Sequence, residues 1–238
     1  MHVGHLRILT AVALAILLIH ACQVLADDSG VYAVGGAIRA MEQVPGITLE
    51  AEFVRGYAFP NEDSIYVECV FYLHNEGAAR KVLIGFPEES WGDVRKGRPF
   101  TFFKSYVNGQ EVSVSRSSQP DSTLASHTFR HWWTKTIAFA AGERKVIRNV
   151  YASTPGGTSD GSNWLCYTLW TGASWDHPIG SADIVLTVVD PRGNYDISAT
   201  PGGYSRSGNE FRWHLREFEP TRSDSLADIF VSWKKPQE

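Results

Sequence analysis

The stretch Ile47-Thr48-Leu49-Glu50-Ala51-Glu52-Phe53, followed after a turn by Ile65-Tyr66-Val67-Glu68-Cys69-Val70-Phe71-Tyr72-Leu73, decides the fold class. In the first run Ile47, Leu49, Ala51 and Phe53 share one parity, and Thr48, Glu50 and Glu52 share the other. An extended chain points successive side chains to opposite faces, so this alternation predicts a strand with one buried and one wet face. Glu50 and Glu52 would stand on the wet face. In the second run Ile65, Val67, Cys69, Phe71 and Leu73 form the inward set. Pro60-Asn61-Glu62-Asp63 between the runs is turn chemistry, so together they predict a long antiparallel hairpin.

The same pattern recurs outward along the chain. Lys81 to Phe86 is an apolar run that Pro87 ends. Phe100 to Val107 and Glu111 to Ser115 flank Asn108-Gly109, a dipeptide suited to a tight hairpin turn with positive φ at both central residues. Phe129 to Phe139 and Arg144 to Tyr151 are expected to form another hairpin about Ala141-Gly142-Glu143, and further strands are expected at Trp164–Trp170, Ala182–Val189, Glu210–Leu215 and Asp228–Trp233. Short strands at this spacing, without alternating helices, predict an all-β antiparallel β-sandwich almost free of helix. In Trp164–Trp170 both registers are apolar, with Leu165, Tyr167 and Leu169 on one and Trp164, Cys166 and Trp170 on the other. A strand of that kind is covered on both faces. With the Gly/Ser/Asp/Pro loop of Thr154 to Asn163, it suggests two packed lobes, residues 27–152 and 153–238, with a single sandwich as the alternative.

Residues 1–26 read as a signal peptide: Arg7, an apolar run from Ile8 through Ile19, and Val24-Leu25-Ala26 at the cleavage site. A second reading uses Ile19-His20-Ala21-Cys22 as a lipobox, with Cys22 carrying a lipid anchor. The apolar run is too short to cross ~30 Å of hydrocarbon, and no later stretch is longer. The expectation is a secreted or periplasmic chain with no transmembrane span after cleavage. Across 238 residues, 22 Lys+Arg stand against 26 Asp+Glu, a formal charge of −4 that lacks the basic excess of a nucleic-acid binder. Charged residues at 20% and hydrophobic residues at 43% argue against disorder.

Export leaves Cys69 and Cys166 as an even pair in an oxidising compartment, open either to a disulfide or to two buried thiols. The chemical motifs are weak in their contexts. Gly157-Thr158-Ser159-Asp160-Gly161 matches the serine-hydrolase elbow, but a strand follows it where the elbow needs a helix. Ser174, Asp176 and His177 are nearly consecutive, whereas a triad converges from distant segments. Glu88-Glu89 reads as a solvated strand end, and Asp160-Gly161-Ser162-Asn163 as at most a weak calcium loop. His127 and His131 on one strand stand about 13 Å apart, too far to share a metal ion. No motif implies a cofactor or a metal.

The tryptophans carry more information. Trp133 shares parity with Ile137 and Phe139 and is expected inside, which leaves Trp132 on the opposite face. Trp91 and Trp175 lie in or beside loops, and with Trp132, Asp176 and His177 they define the expected binding surface.

Val34-Gly35-Gly36-Ala37-Ile38, Ile47 to Glu52, Tyr66 to Asn75 and Ile84-Gly85-Phe86-Pro87-Glu88 resemble the opening of a bacterial exported family, domain of unknown function 4424. Tyr167 to Trp175, Pro178-Ile179-Gly180, Trp213 through Pro220 and Asp228-Ile229 resemble its second half. The resemblance implies a secreted or envelope-facing β-rich protein and supplies no activity, substrate or catalytic residue. The resulting expectation is a non-enzymatic interaction module whose partner is an envelope or extracellular protein. A glycan-binding module using the same indoles is the alternative, and a hydrolase whose site is hidden from the linear sequence is the third reading.

Overall fold

The computed structural model describes residues 32–91, 100–117, 131–221 and 226–236. The first strands are β1 (Tyr32–Gly36), β2 (Arg39–Ala40), β3 (Ile47–Phe59), β4 (Ser64–Asn75), β5 (Arg80–Trp91) and β6 (Phe100–Val107). Then follow β7 (Gln110–Val112), β8 (Ser115–Ser117), β9 (His131–Phe139), β10 (Arg144–Ser153), β11 (Gly156–Gly157) and β12 (Asn163–Thr168). A 3₁₀ turn (Trp170–Ser174) leads to β13 (Ile179–Val188), β14 (Asp196–Thr200), β15 (Ser205–Ser207), β16 (Glu210–Phe218) and β17 (Asp228–Lys234). The all-β sandwich is therefore observed.

One sheet runs β14-β17-β12-β1-β5-β9-β8, with β2 added on β5 and β11 on β12; the other runs β15-β16-β13-β3-β4-β10-β6-β7. Two of the hairpins read from the sequence are present: β3–β4, with Tyr57 opposite Tyr66, and β6–β7, whose turn holds Asn108 and Gly109 at φ 49° and 81°. The third, about Ala141-Gly142-Glu143, is corrected: β9 pairs with β5 and β8 in one sheet and β10 with β4 and β6 in the other, so this turn crosses between the sheets. Most pairings are antiparallel, but β1 lies parallel to β12 and β3 parallel to β13. These two pairings correct the division into lobes at residue 152/153. Strands from both halves sit side by side in each sheet, and one continuous core runs through both, from Ile47 and Phe71 to Ile184 and Val231. The two expected lobes are one sandwich.

Within β3 the interior departs from the sequence reading at a single residue. A β-bulge between Leu49 and Ala51 inserts one residue into β3 opposite β4. Because side chains alternate with period two, everything after the bulge changes face. Ile47 and Leu49 point inward as expected, but beyond the bulge Glu52, Val54 and Ala58 are buried and Phe53 and Tyr57 turn partly outward. Glu52, expected in water, is 1% exposed.

The strand expected to be covered on both sides behaves so. Leu165, Tyr167 and Leu169 join the main core, whereas Trp164 and Cys166, with Trp170 of the 3₁₀ turn, form a second cluster with Trp132 and Ala227. Close packing between the sheets also dictates a glycine. A Cβ on Gly35 would stand 2.2 Å from the Tyr151 hydroxyl oxygen, and Tyr151 cannot retreat because it is stacked on Phe100 at 4.3 Å. Gly35→Ala is expected to cost about 1–3 kcal/mol by overpacking. Urea denaturation of the variant checks this, and an unchanged midpoint would mean that the β1–β10 approach is looser than described.

Candidate functional site

At one end of the sandwich the two sheets part into a cleft of about 400 Å³, lined by Pro60, Asp63, Asp160, Gly161, Asn163, Tyr195, Trp233, Lys234 and Lys235. The β3–β4 turn supplies Pro60 and Asp63 from one sheet. The loop ahead of β12, the residue preceding β14 and the end of β17 supply the rest from the other. Strand ends expose irregular backbone and polar turn residues, which suits them to ligand contact on a rigid frame.

The cleft's charges divide into a spent pair and a free pair. Asp160 accepts hydrogen bonds from the Lys234 ammonium at 2.8 Å, the Ser162 backbone N–H at 2.9 Å, the Ser162 hydroxyl at 3.0 Å and the Thr158 hydroxyl. These donors, Lys234 foremost, hold its carboxyl well below the usual carboxylate range. The carboxylate read as a weak calcium ligand is thus engaged in tying its own loop together. Asp63 and Lys235 are both exposed and form no hydrogen bond or ion pair among the described residues. Asp63 sits at φ 49°, a conformation that Asp tolerates in turns. The apolar part of the lining comes from Pro60, Tyr195 and the rim of the buried Trp233.

The surface expected from the sequence is found elsewhere. Trp132 is 1% exposed and Trp175 is 5% exposed, so neither is a surface anchor. Trp132 does face away from Trp133, which stacks at 5.0 Å on Phe103, a half-buried ring packed against the core, but facing away does not expose it. That outer face is itself covered by the second apolar cluster, with Met41 packed on it and the Arg39 guanidinium over the Trp132 ring. Trp175 lies in the main core and donates its indole N–H to the Ile38 carbonyl at 2.8 Å. The Asp176 carboxylate accepts the Gly46 N–H at 2.7 Å, and the Ser174 hydroxyl accepts the Ala40 N–H at 2.8 Å. Both side chains therefore dock the 170–177 loop onto the segment between β2 and β3. His177 is exposed at φ 65°. Trp91 ends β5, and its side chain lies outside the described ones, as does His127.

Polar groups inside the sandwich were not anticipated. Tyr167 of β12 donates its hydroxyl to Glu52 of β3, bridging the sheets, with the Cys69 thiol beside them. Burial pushes the Glu52 carboxyl up to about 7, and its second oxygen has no hydrogen-bond partner among the described residues. Lys135 of β9 donates to Asn149 of β10 at 3.3 Å, where the Ser105 hydroxyl also donates at 2.7 Å. Burial pulls this ammonium down to about 7. Glu88, expected at a solvated strand end, is fully buried, paired with Arg116 at 2.5 Å and accepting the Phe100 N–H at 3.3 Å. Cys69 and Cys166 are both buried and remain thiols rather than a disulfide, one on each sheet. Burial, with the Glu52 carboxylate adding to it, pushes the Cys69 thiol up.

None of these groups forms a nucleophile–base pair in the cleft. His214 meets one carboxylate, Asp183 at 2.7 Å, on an open sheet face. Among the described residues no three His, Cys, Asp or Glu side chains converge as metal ligands. No helix among them is long and apolar enough to cross a membrane.

No family model and no curated protein matches the sequence. Among solved structures, the chain is similar to a protein of Legionella pneumophila subsp. pneumophila str. Philadelphia 1, provisionally named a nutrient binding protein. The TM-score is 0.70 at 21% identity, over 87% of this chain and 72% of that one. At that identity the likeness establishes a shared fold. The M1 zinc metallopeptidase of Deinococcus radiodurans and yeast LTA4 hydrolase align at TM-scores of 0.39 and 0.42 and identities of 10% and 7%. The chain covers 82% of its own length in both and only 43% and 30% of theirs.

Proposed function

We propose that this chain is a non-enzymatic binding module, exported from a bacterial cell, that holds a small polar solute in the cleft between its sheet ends. The observation that carries this reading is the cleft itself. It is a half-open space of about 400 Å³ in which Asp160 and Lys234 satisfy each other while Asp63 and Lys235 stay available. A cleft of this size with a few polar groups over an apolar wall is the usual form of a small-ligand site. The provisional name of the Legionella neighbour agrees with such a role, and the resemblance to the exported family supports the compartment. The indoles that suggested a glycan platform include two that are interior, which removes that motive for the glycan reading.

The test is nuclear magnetic resonance mapping of the full chain against a panel of small polar solutes. Shifts are expected to cluster at residues 60–63, 160–163 and 233–235. Lys235→Glu is expected to weaken binding of a carboxylate-bearing solute by about tenfold or more, the loss of one charge-assisted hydrogen bond. Shifts clustered on another face, or affinity indifferent to Lys235→Glu, would overturn the reading.

A further inference from the structure

The free charges of the cleft specify its ligand more narrowly, an inference that rests on the cleft being the binding site. We infer that the cleft takes a small zwitterion of the amino-acid or short-peptide class, its ammonium on Asp63 and its carboxylate on Lys235. Asp63, Asp160, Lys234 and Lys235 sum to zero charge across the lining. The Asp160–Lys234 contact at 2.8 Å removes one charge of each sign, leaving one free acid and one free base. A lone anion drawn to Lys235 meets the Asp63 carboxylate in the same space, and a lone cation meets the Lys235 ammonium. Only a ligand carrying both signs answers both groups, and each pairing is a charge-assisted hydrogen bond.

The two charges also belong to different walls. Asp63 is carried by the β3–β4 turn of one sheet and Lys235 by the end of β17 in the other. A zwitterion between them ties the sheet ends together, so its binding raises the melting temperature as well as filling the cleft. Pro60, Tyr195 and Trp233 leave an apolar wall for the carbon skeleton between the ligand's charges.

Isothermal titration of the full chain tests this with L-leucine, L-leucyl-L-alanine and 6-aminohexanoate, each beside its carboxamide and N-acetyl form. At least one free zwitterion is expected to bind, with about a tenfold loss in either blocked form. In Asp63→Asn, whose new side chain tolerates the same turn conformation, N-acetylation is expected to cost nothing further. In Lys235→Gln, amidation is expected to cost nothing further. Blocked forms that bind as well as the free zwitterions would overturn the inference, as would losses that persist unchanged in both variants. Binding of singly charged solutes that maps to the cleft and is lost in Lys235→Glu would overturn the inference alone. Shifts that map elsewhere would overturn the cleft reading with it.

Discussion

Trp175→Ala is expected to lower the stability of the fold by about 3–5 kcal/mol, on the scale of a large aromatic removed from a packed core. Trp175 is 5% exposed, belongs to the main core and holds the Ile38 carbonyl through its indole N–H at 2.8 Å. The truncation leaves that carbonyl without its donor and opens a void beneath the 170–177 loop. Asp176, whose N–H reaches the Ile47 carbonyl at 2.9 Å and whose carboxylate accepts the Gly46 N–H, loses its anchor at the same time. In a domain of this size the melting temperature should fall by on the order of 10 °C. Thermal and urea unfolding check it, alongside ligand titration in the cleft. A variant with parental stability but lost binding would return Trp175 to the surface role that its loop position suggested.

Glu52→Gln is expected to change how stability depends on pH. The parent carboxyl titrates at about 7 in the fold against 4.5 for the ordinary group, because burial disfavours its charge. Between those values only the folded chain holds the proton, so folding takes one up. The stabilising contribution is complete below pH 4.5 and is lost as pH rises through about 7. Two and a half units correspond to about 3 kcal/mol. Glutamine keeps an acceptor for Tyr167 and carries no charge, so the variant should match the parent near pH 4.5 and exceed it at pH 8.

Lys135 works in the opposite sense, since its ammonium is pulled from 10.5 to about 7. Its contribution is complete only above pH 10.5 and is lost as pH falls to about 7, so it makes stability rise with pH between 7 and 9. Above that range Cys69, Tyr151 and Tyr167, all pushed up by burial, oppose it. Together Glu52 and Lys135 place a stability minimum near neutral pH. Urea midpoints of parent, Glu52→Gln and Lys135→Met across pH 4.5–9 separate the two limbs, and parallel curves for all three would exclude both assignments.

Much of the fold was legible from local pattern. The β3–β4 hairpin, the Asn108-Gly109 turn and the doubly covered β12 each follow from residues within a short window, where period-two alternation and turn chemistry act directly. Trp133 was placed correctly for the same reason. The candidate site was not legible. Asp63, Tyr195 and Lys235 belong to separate turns and strand ends and meet only because the sheets bring those ends together, so no local spacing marks them. Of the cleft, only the Asp160–Asn163 segment carried a signal, and that segment turned out to be a self-tied loop.

The amino-acid sequence alone thus determined most of the strands and the all-β class, because those depend on neighbours along the chain. Whether a given face is wet depended on what else packs there, and only the tertiary structure decided that. A one-residue bulge turned Glu52 from solvent into the core, a second apolar layer closed over Trp132, and parallel pairing of β1 with β12 and β3 with β13 merged two expected lobes into one sandwich. Each is a contact between distant segments, and alternation along a single strand carries no record of it.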